Sequence, residues 1–200
     1  KGFLSTLLAT DVQWDAPTRH KFISIADQEA DNLTELIEQL LDMSRISAGT
    51  FTMSPSPTLV IDVITTAIAR LPQAANIELQ VDPALPSVNV DSRRIQQVLI
   101  NVLGNAVKFS PADQPIVVTA HPQGDFVQVD VHDQGPGIPP EARQIVFEPF
   151  RQVHSNVKLR GAGLGLSISR GIITAHGGNI WIQDRPLPGT TISFTLPVAR

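Results

Sequence analysis

Residues 92–108 read SRRIQQVLINVLGNAVK, and two periodicities run through them at once. Ile95, Val98, Leu99, Val102 and Ala106 recur at helical spacing, which predicts a helix opened by Asp91 or Ser92 with one face packed on a sheet. A second stripe, Arg94, Gln97, Asn101, Asn105 and Lys108, lies about a third of a turn from the first at 3.6 residues per turn. Two amides and an ammonium on one side of a helix can offer a carbonyl oxygen to Mg²⁺ and a cation to phosphate oxygens. Taken alone, such a stripe is more often simply the wet side of a helix.

Around that helix the composition is globular. The chain has 200 residues, 42% hydrophobic and 17% charged, enough for one large domain or two small ones. No apolar run approaches the ~20 residues that cross a bilayer, so no membrane contact is expected of this segment. The net charge of −4 leaves no broad positive footprint for a phosphate backbone, which argues against nucleic acid as a partner. With no cysteine, disulfides, thiolate metal sites and thiol nucleophiles are excluded.

On the amino side, residues 15–49 are helical in pattern: Asp15 can cap, Pro17 suits the first turn, and Gly49 closes the run. Phe22, Ala26, Leu33, Ile37 and Leu40 form an apolar seam. With residues 1–10 as another helical segment, the pattern predicts a helical hairpin. Its seam calls for a second copy in a four-helix bundle, or for packing on its own globular neighbour. Ser54-Pro55-Ser56-Pro57 breaks helix and divides the chain into residues 1–54 and a domain over 58–200. In that domain, helices over 62–71 and 92–108 and short strands over 77–81, 116–120, 126–131, 180–183 and 192–196 predict an α/β two-layer sandwich. Residues 134–162, rich in Gly and Pro and without sustained period, read as a long mobile loop.

Two glycine motifs flank that loop. Asp133-Gln134-Gly135-Pro136-Gly137-Ile138 follows a strand, so an acceptor carboxylate is offered at a strand end beside backbone that can approach a flat base or turn sharply. Gly161-Ala162-Gly163-Leu164-Gly165-Leu166 opens a helix over 167–175, where backbone N–H groups can cradle phosphate oxygens. No Lys-Ser or Lys-Thr follows these glycines, so this is no Walker loop. Either motif alone is weak.

In this order and spacing the motifs resemble the ATP-binding domain of two-component sensor histidine kinases, in the superfamily shared with gyrase, Hsp90 and MutL. RIQQVLINVLGNAVKFSP looks like the N box, DQGPGI the first glycine box, FEPFRQ the F box, GAGLGLSIS the second glycine box, and HGG followed by GTTISFTLP the closing segment. EADNLTELIEQLLDMSRISAG is similar to the second helix of the dimerisation and phosphotransfer hairpin. The fold this implies is a helical hairpin followed by the Bergerat, or GHKL, ATPase sandwich.

The resemblance implies that Asn105 ligands Mg²⁺, with Asn101 and Lys108 assisting at the ATP phosphates. Asp133, supported by Thr191, would hold the adenine amino group, with Gly135 and Gly137 bordering the base. Gly161, Gly163 and Gly165 would wrap the phosphates within a lid that includes Phe147 and Phe150, residues that equally suit a hydrophobic anchor for that lid. The implied activity is transfer of the ATP γ-phosphoryl to a His and relay to the Asp of a response-regulator receiver domain. A homodimer through the hairpin is implied, in the cytoplasm, with a parent protein open to membrane anchorage.

One element of the family is missing. The acceptor His, followed by an acidic residue and Arg-Thr-Pro, has no counterpart, and none of His20, His121, His132, His154 or His176 has that context. KGFLSTLL resembles the stretch just downstream of that box, so the acceptor is expected outside this chain. Two alternatives stand beside the kinase. An ATP-hydrolysing switch would need a Glu one turn before the Mg²⁺-binding Asn as general base; Asn101 stands there. A non-catalytic dimerisation and nucleotide-sensing module fits if the box is absent altogether.

Overall fold

The computed structural model describes residues 7, 14–71, 76–82, 84–152, 163–184 and 188–199. The first segment of the expected hairpin lies almost wholly outside them, as do Gly161 and the stretch 153–160 of the expected mobile loop. The chain divides into two compact units, Lys1–Leu41 and Asp42–Arg200.

The helix that dominates the first unit, α1, spans Ala16–Ser47. Asp15 caps it, Oδ1 accepting from the Thr18 N–H at 3.2 Å. Gly49 ends it in the left-handed region at φ +67°, where a Cβ is disfavoured. Leu33, Ile37 and Leu40 of the apolar seam are all about half exposed.

Within the second unit the elements run β1 (Ser56–Thr58), α2 (Val60–Ile68), β2 (Ile77–Val81), β3 (Val88–Val90), α3 (Ser92–Phe109), β4 (Ile116–Gln123), β5 (Phe126–Asp133), α4 (Gly165–Ala175), β6 (Ile180–Ile182) and β7 (Thr190–Pro197). Among the described residues the strands form a five-stranded sheet ordered β2-β4-β5-β7-β6, and a small antiparallel pair of β1 with β3. Only β2 and β4 run parallel, joined by the crossover through α3, because a parallel pair cannot be closed by a tight turn. β4–β5 and β6–β7 are antiparallel.

Alternation along β5 explains the two layers. Val127, Val129 and Val131 are buried against the helices with Ile95, Leu99, Leu103, Ile168 and Ile172. Gln128, Asp130 and His132 lie on the other face and bond among side chains: Gln128 Nε2 and Gln183 Nε2 donate to Asp130 Oδ1 at 2.7 and 3.0 Å. The helix expected over 62–71 instead occupies 60–68, and its end tightens into i→i+3 bonds from Arg70 to Ala67 and Leu71 to Ile68. β1 and β3 were not expected. Pro57 pairs with Asn89 in them, which an edge position permits because no N–H is required there.

Candidate functional site

Three segments meet at the C-terminal half of α3. The helix starts from a fixed point. Asp91 Oδ1 accepts from the Arg93 and Arg94 N–H groups at 3.1 and 3.3 Å, and its Oδ2 accepts from Ser54 N–H at 3.0 Å. Partial burial works against the Asp91 charge, but the donors of Ser54, Arg94 and Arg93 and the Arg94 charge outweigh it and hold its pKa below the ordinary value. The Asp91 N–H donates to His176 Nε2 at 3.0 Å. That bond leaves the imidazole proton on Nδ1, which donates to Ile172 O at 2.8 Å.

The polar stripe of α3 divides into three parts. Arg94 and Gln97 are bound by Asp42: Arg94 Nη1 lies 3.1 and 3.0 Å from its two oxygens, and Gln97 Nε2 donates at 2.9 Å. Asn101 Nδ2 donates to the Gly165 carbonyl at 3.1 Å and reaches Ser169 Oγ at 3.4 Å. Asn105, half-buried, makes no side-chain hydrogen bond to the described residues. Lys108 is half-buried with no carboxylate in ion-pair range among them; its Nζ lies 5.2 Å from the Phe109 ring centre. Burial alone pushes its ammonium below the usual lysine pKa.

Past the end of α3, the turn after β5 folds back onto it. Asp133, buried at the last position of β5, accepts at Oδ1 from the Gly135 N–H at 2.8 Å and the Thr190 N–H at 3.2 Å. Its burial raises the carboxyl pKa, against the pull of those two donors and of neighbouring His132. Gly135 has no room for a side chain: a Cβ would stand 2.9 Å from Asp133 Oδ1 and 3.1 Å from Phe109 O. The Gln134 N–H donates to Ser110 Oγ at 3.2 Å, and Gly189 N–H to Gly135 O at 2.8 Å. Gly137 takes φ +81°. The β5–β7 register sets Thr190, not Thr191, opposite Asp133. The Thr191 hydroxyl meets His132 Nδ1 at 2.9 Å.

The third segment is the start of α4. Gly163, at φ +71°, sits where a Cβ would be 3.0 Å from Phe150 C and Arg151 O, and its carbonyl accepts from the Phe150 N–H at 2.9 Å. Among the described residues no side chain caps α4, which leaves its first-turn N–H groups for another acceptor. The two Phe of FEPFRQ part company. Phe147 is 4% exposed with the Arg170 guanidinium 5.9 Å from its ring centre, and so anchors the segment. Phe150 is 65% exposed and holds φ +64°, a strained value for a non-glycine residue.

Sequence reasoning missed Asp42, Ser169 and Thr190. Nothing in the helical pattern distinguishes Asp42 from the other acids of α1, whereas Thr190 was recoverable from strand parity once the partner strand was known.

An α/β sandwich that brings an amide and a cation without hydrogen-bond or ion-pair partners among the described residues, a buried strand-end carboxylate and a glycine-opened helix to one helix end defines a nucleotide-binding domain. The chain belongs to the histidine kinase-, DNA gyrase B- and HSP90-like ATPase family, which residues 90–200 match. Its relatives include proteins named as sensors and as sensory kinases. Sensor protein KdpD of Escherichia coli (strain K12) is 35% identical over 193 residues, covering 96% of this chain and 22% of that protein. The adaptive-response sensory kinase SasA of Synechocystis sp. (strain ATCC 27184 / PCC 6803 / Kazusa) is 35% identical over 189 residues, covering 91% of this chain and 49% of that protein. The chain thus spans between about a fifth and half of these relatives. Among solved structures, full-length ShkA in complex with AMPPNP superposes with a TM-score of 0.78 at 27% identity, covering 94% of this chain and 41% of that one. The matched region is the ATP-binding catalytic domain of sensor histidine kinases.

Proposed function

We propose that this chain binds Mg²⁺-ATP and transfers the γ-phosphoryl to a His outside the chain, for relay to the Asp of a response-regulator receiver domain. The observation that carries the reading is the division of the α3 stripe: Asn105 and Lys108, at the end that meets Asp133 and the start of α4, are the members left without a hydrogen-bond or ion-pair partner among the described residues.

The donor set fits the group it would hold. An amide oxygen at Asn105 is a hard ligand of the kind Mg²⁺ takes, alongside waters and phosphate oxygens. Bound there, Mg²⁺ would neutralise charge on the β- and γ-phosphates. Lys108 adds a cation whose partial desolvation strengthens its attraction to phosphate. Asp133 accepts from the adenine amine, Gly135 and Gly137 let the backbone lie against the base, and Gly163 and Gly165, with Gly161, border the phosphates. In phosphoryl transfer the protein positions and neutralises rather than forming bonds itself. In this proposal the receiving group is an imidazole nitrogen of a His outside the chain, which bonds to the γ-phosphorus as the bond to ADP breaks and ADP leaves.

Residues 1–54 fit the distal part of a dimerisation and phosphotransfer hairpin, and residues 58–200 the catalytic domain. The half-exposed seam of Leu33, Ile37 and Leu40 supports pairing with a second copy. Among the described residues no helix is long and apolar enough to cross a membrane; a cytoplasmic setting is proposed because ATP and receiver domains are found there. Calorimetry with ATP, with and without Mg²⁺, tests the reading: tight binding that needs Mg²⁺ supports it, and absence of ATP binding by the folded chain rejects it.

A further inference from the structure

Asn101 stands on the stripe expected to face phosphate, yet its amide hydrogens point into the protein. Nδ2 donates to Gly165 O at 3.1 Å and lies 3.4 Å from Ser169 Oγ. Ser169 is wholly buried, and its hydroxyl donates to the same Gly165 carbonyl at 2.9 Å. The Asn101 side chain also lies in van der Waals range of Gly165, 3.4 Å from Cγ to the position of a Cβ there. The carbonyl that opens α4 therefore receives two side-chain donors besides its own helical bond. Leu164 supplies no side-chain cap, and the aim of the first-turn N–H groups is set by where Gly165 is held.

We infer that Asn101 is a positioning residue: it serves the nucleotide phosphates through α4, by fixing the helix start against α3, rather than by touching them. This rests on the nucleotide reading above and replaces the direct phosphate role that the family resemblance implies for Asn101. An amide suits the task because it offers donors without charge. A carboxylate in its place would face the Gly165 carbonyl with acceptors only, and would repel phosphate.

The test uses the whole chain, with adenosine, ADP and Mg²⁺-ATP as ligands in calorimetry, and amide hydrogen exchange of residues 168–170 without nucleotide. Asn101→Ala is expected to weaken ADP and ATP by roughly tenfold while adenosine changes little, and to speed exchange at the start of α4 in the ligand-free protein. Ser169→Ala, at a residue no ligand reaches, should show the same split between phosphorylated and unphosphorylated ligands at smaller size. Unchanged ligand-free exchange in Asn101→Ala overturns the inference. So does parent-like ATP binding by Ser169→Ala beside weakened binding by Asn101→Ala, which would make Asn101 a direct phosphate ligand. Equal weakening of all three ligands makes the role merely structural and also overturns it. If the parent chain binds no nucleotide, the ATP reading fails instead, and the exchange measurement still decides whether Asn101 holds α4.

Discussion

Arg94 Nη1 contacts both carboxylate oxygens of Asp42, at 3.1 and 3.0 Å, across 52 residues of sequence. The guanidinium also lies 4.5 Å from the Phe51 ring centre, and Gln97 closes the group through its own bond to Asp42. The near half of the stripe on α3 is thereby a structural clamp on the last turns of α1, which belong to the same compact unit as α3. Ile46 continues the contact: a Cβ on Gly171 of α4 would fall 2.7 Å from its side chain.

Removing the carboxylate should therefore destabilise the second unit without touching the nucleotide. The side chains of Asp42 and Arg94 are 10% and 25% exposed, between the buried and the surface regimes for ion pairs. Asp42→Ala is expected to cost about 1.5–3 kcal/mol in denaturant unfolding. ATP affinity should stay at the parent value, since Asn105 and Lys108 lie about three turns further along α3. A double-mutant cycle with Arg94→Ala that gave no coupling energy would show the clamp to be idle.

The affinity for ATP should depend on pH at both ends. Burial raises the Asp133 pKa, and the carboxylate accepts from the adenine amine more strongly than the protonated acid does. Affinity therefore falls as pH drops through a midpoint above the ordinary 3.8. Burial lowers the Lys108 pKa, and only the ammonium attracts phosphate. Affinity falls again as pH rises through a midpoint below the ordinary 10.5. Calorimetry across pH should give a plateau narrowed on both sides. An acid limb that persists in Asp133→Asn would remove Asp133 from that role.

Gly135 offers a steric test of the same carboxylate. A methyl group there meets Asp133 Oδ1 at 2.9 Å and the Phe109 carbonyl at 3.1 Å, and neither neighbour is the free end of a flexible chain. Gly135→Ala should displace the carboxylate, cost about 1–3 kcal/mol in stability as an overpacked site does, and weaken ATP more than a matched change at Gly124. Gly124 has open space where a Cβ would stand but holds φ +59°, so its variant reports backbone strain without a clash. Equal ATP affinities for the two variants would count against a base contact at Asp133.

What the sequence made legible was what depends on local period. The apolar face of α3 is directly readable, and so are the alternating strands β4, β5 and β7, because both follow from neighbours a few residues apart. The division of the polar stripe was not readable. Its partners, Asp42 and the Gly165 carbonyl, are brought in by tertiary packing from far along the chain. Thr190 and Thr191 are identical in type, and only the register with β5 says which one faces Asp133. Phe147 and Phe150 belong to one short motif yet differ in burial, and Phe150 takes a left-handed backbone while bonding to Gly163, a partner outside the motif. Pro57 was read as a breaker, although at an edge it pairs without needing a donor.

The last prediction concerns the acceptor. His176 has both ring nitrogens engaged and is buried, and His132 is bonded at both nitrogens to Thr191 and Gln134. His121 faces Asp130 on the outer side of the sheet, His20 is an exposed residue of α1 outside any acceptor context, and His154 lies outside the described residues. The chain should therefore bind Mg²⁺-ATP but not label itself from γ-labelled ATP. It should label in trans a fragment carrying an acceptor His on a hairpin helix, giving acid-labile, base-stable phosphohistidine, with the seam at Leu33, Ile37 and Leu40 as the docking surface. Asn105→Ala should abolish that transfer while changing stability by no more than about 0.5 kcal/mol, because the side chain is half-buried and makes no hydrogen bond to the described residues. Transfer at the parent rate by Asn105→Ala would refute the metal assignment. A fragment left unlabelled while ATP binds would favour a non-catalytic nucleotide-sensing module, and labelling on one of the chain's own five histidines would place the acceptor within it.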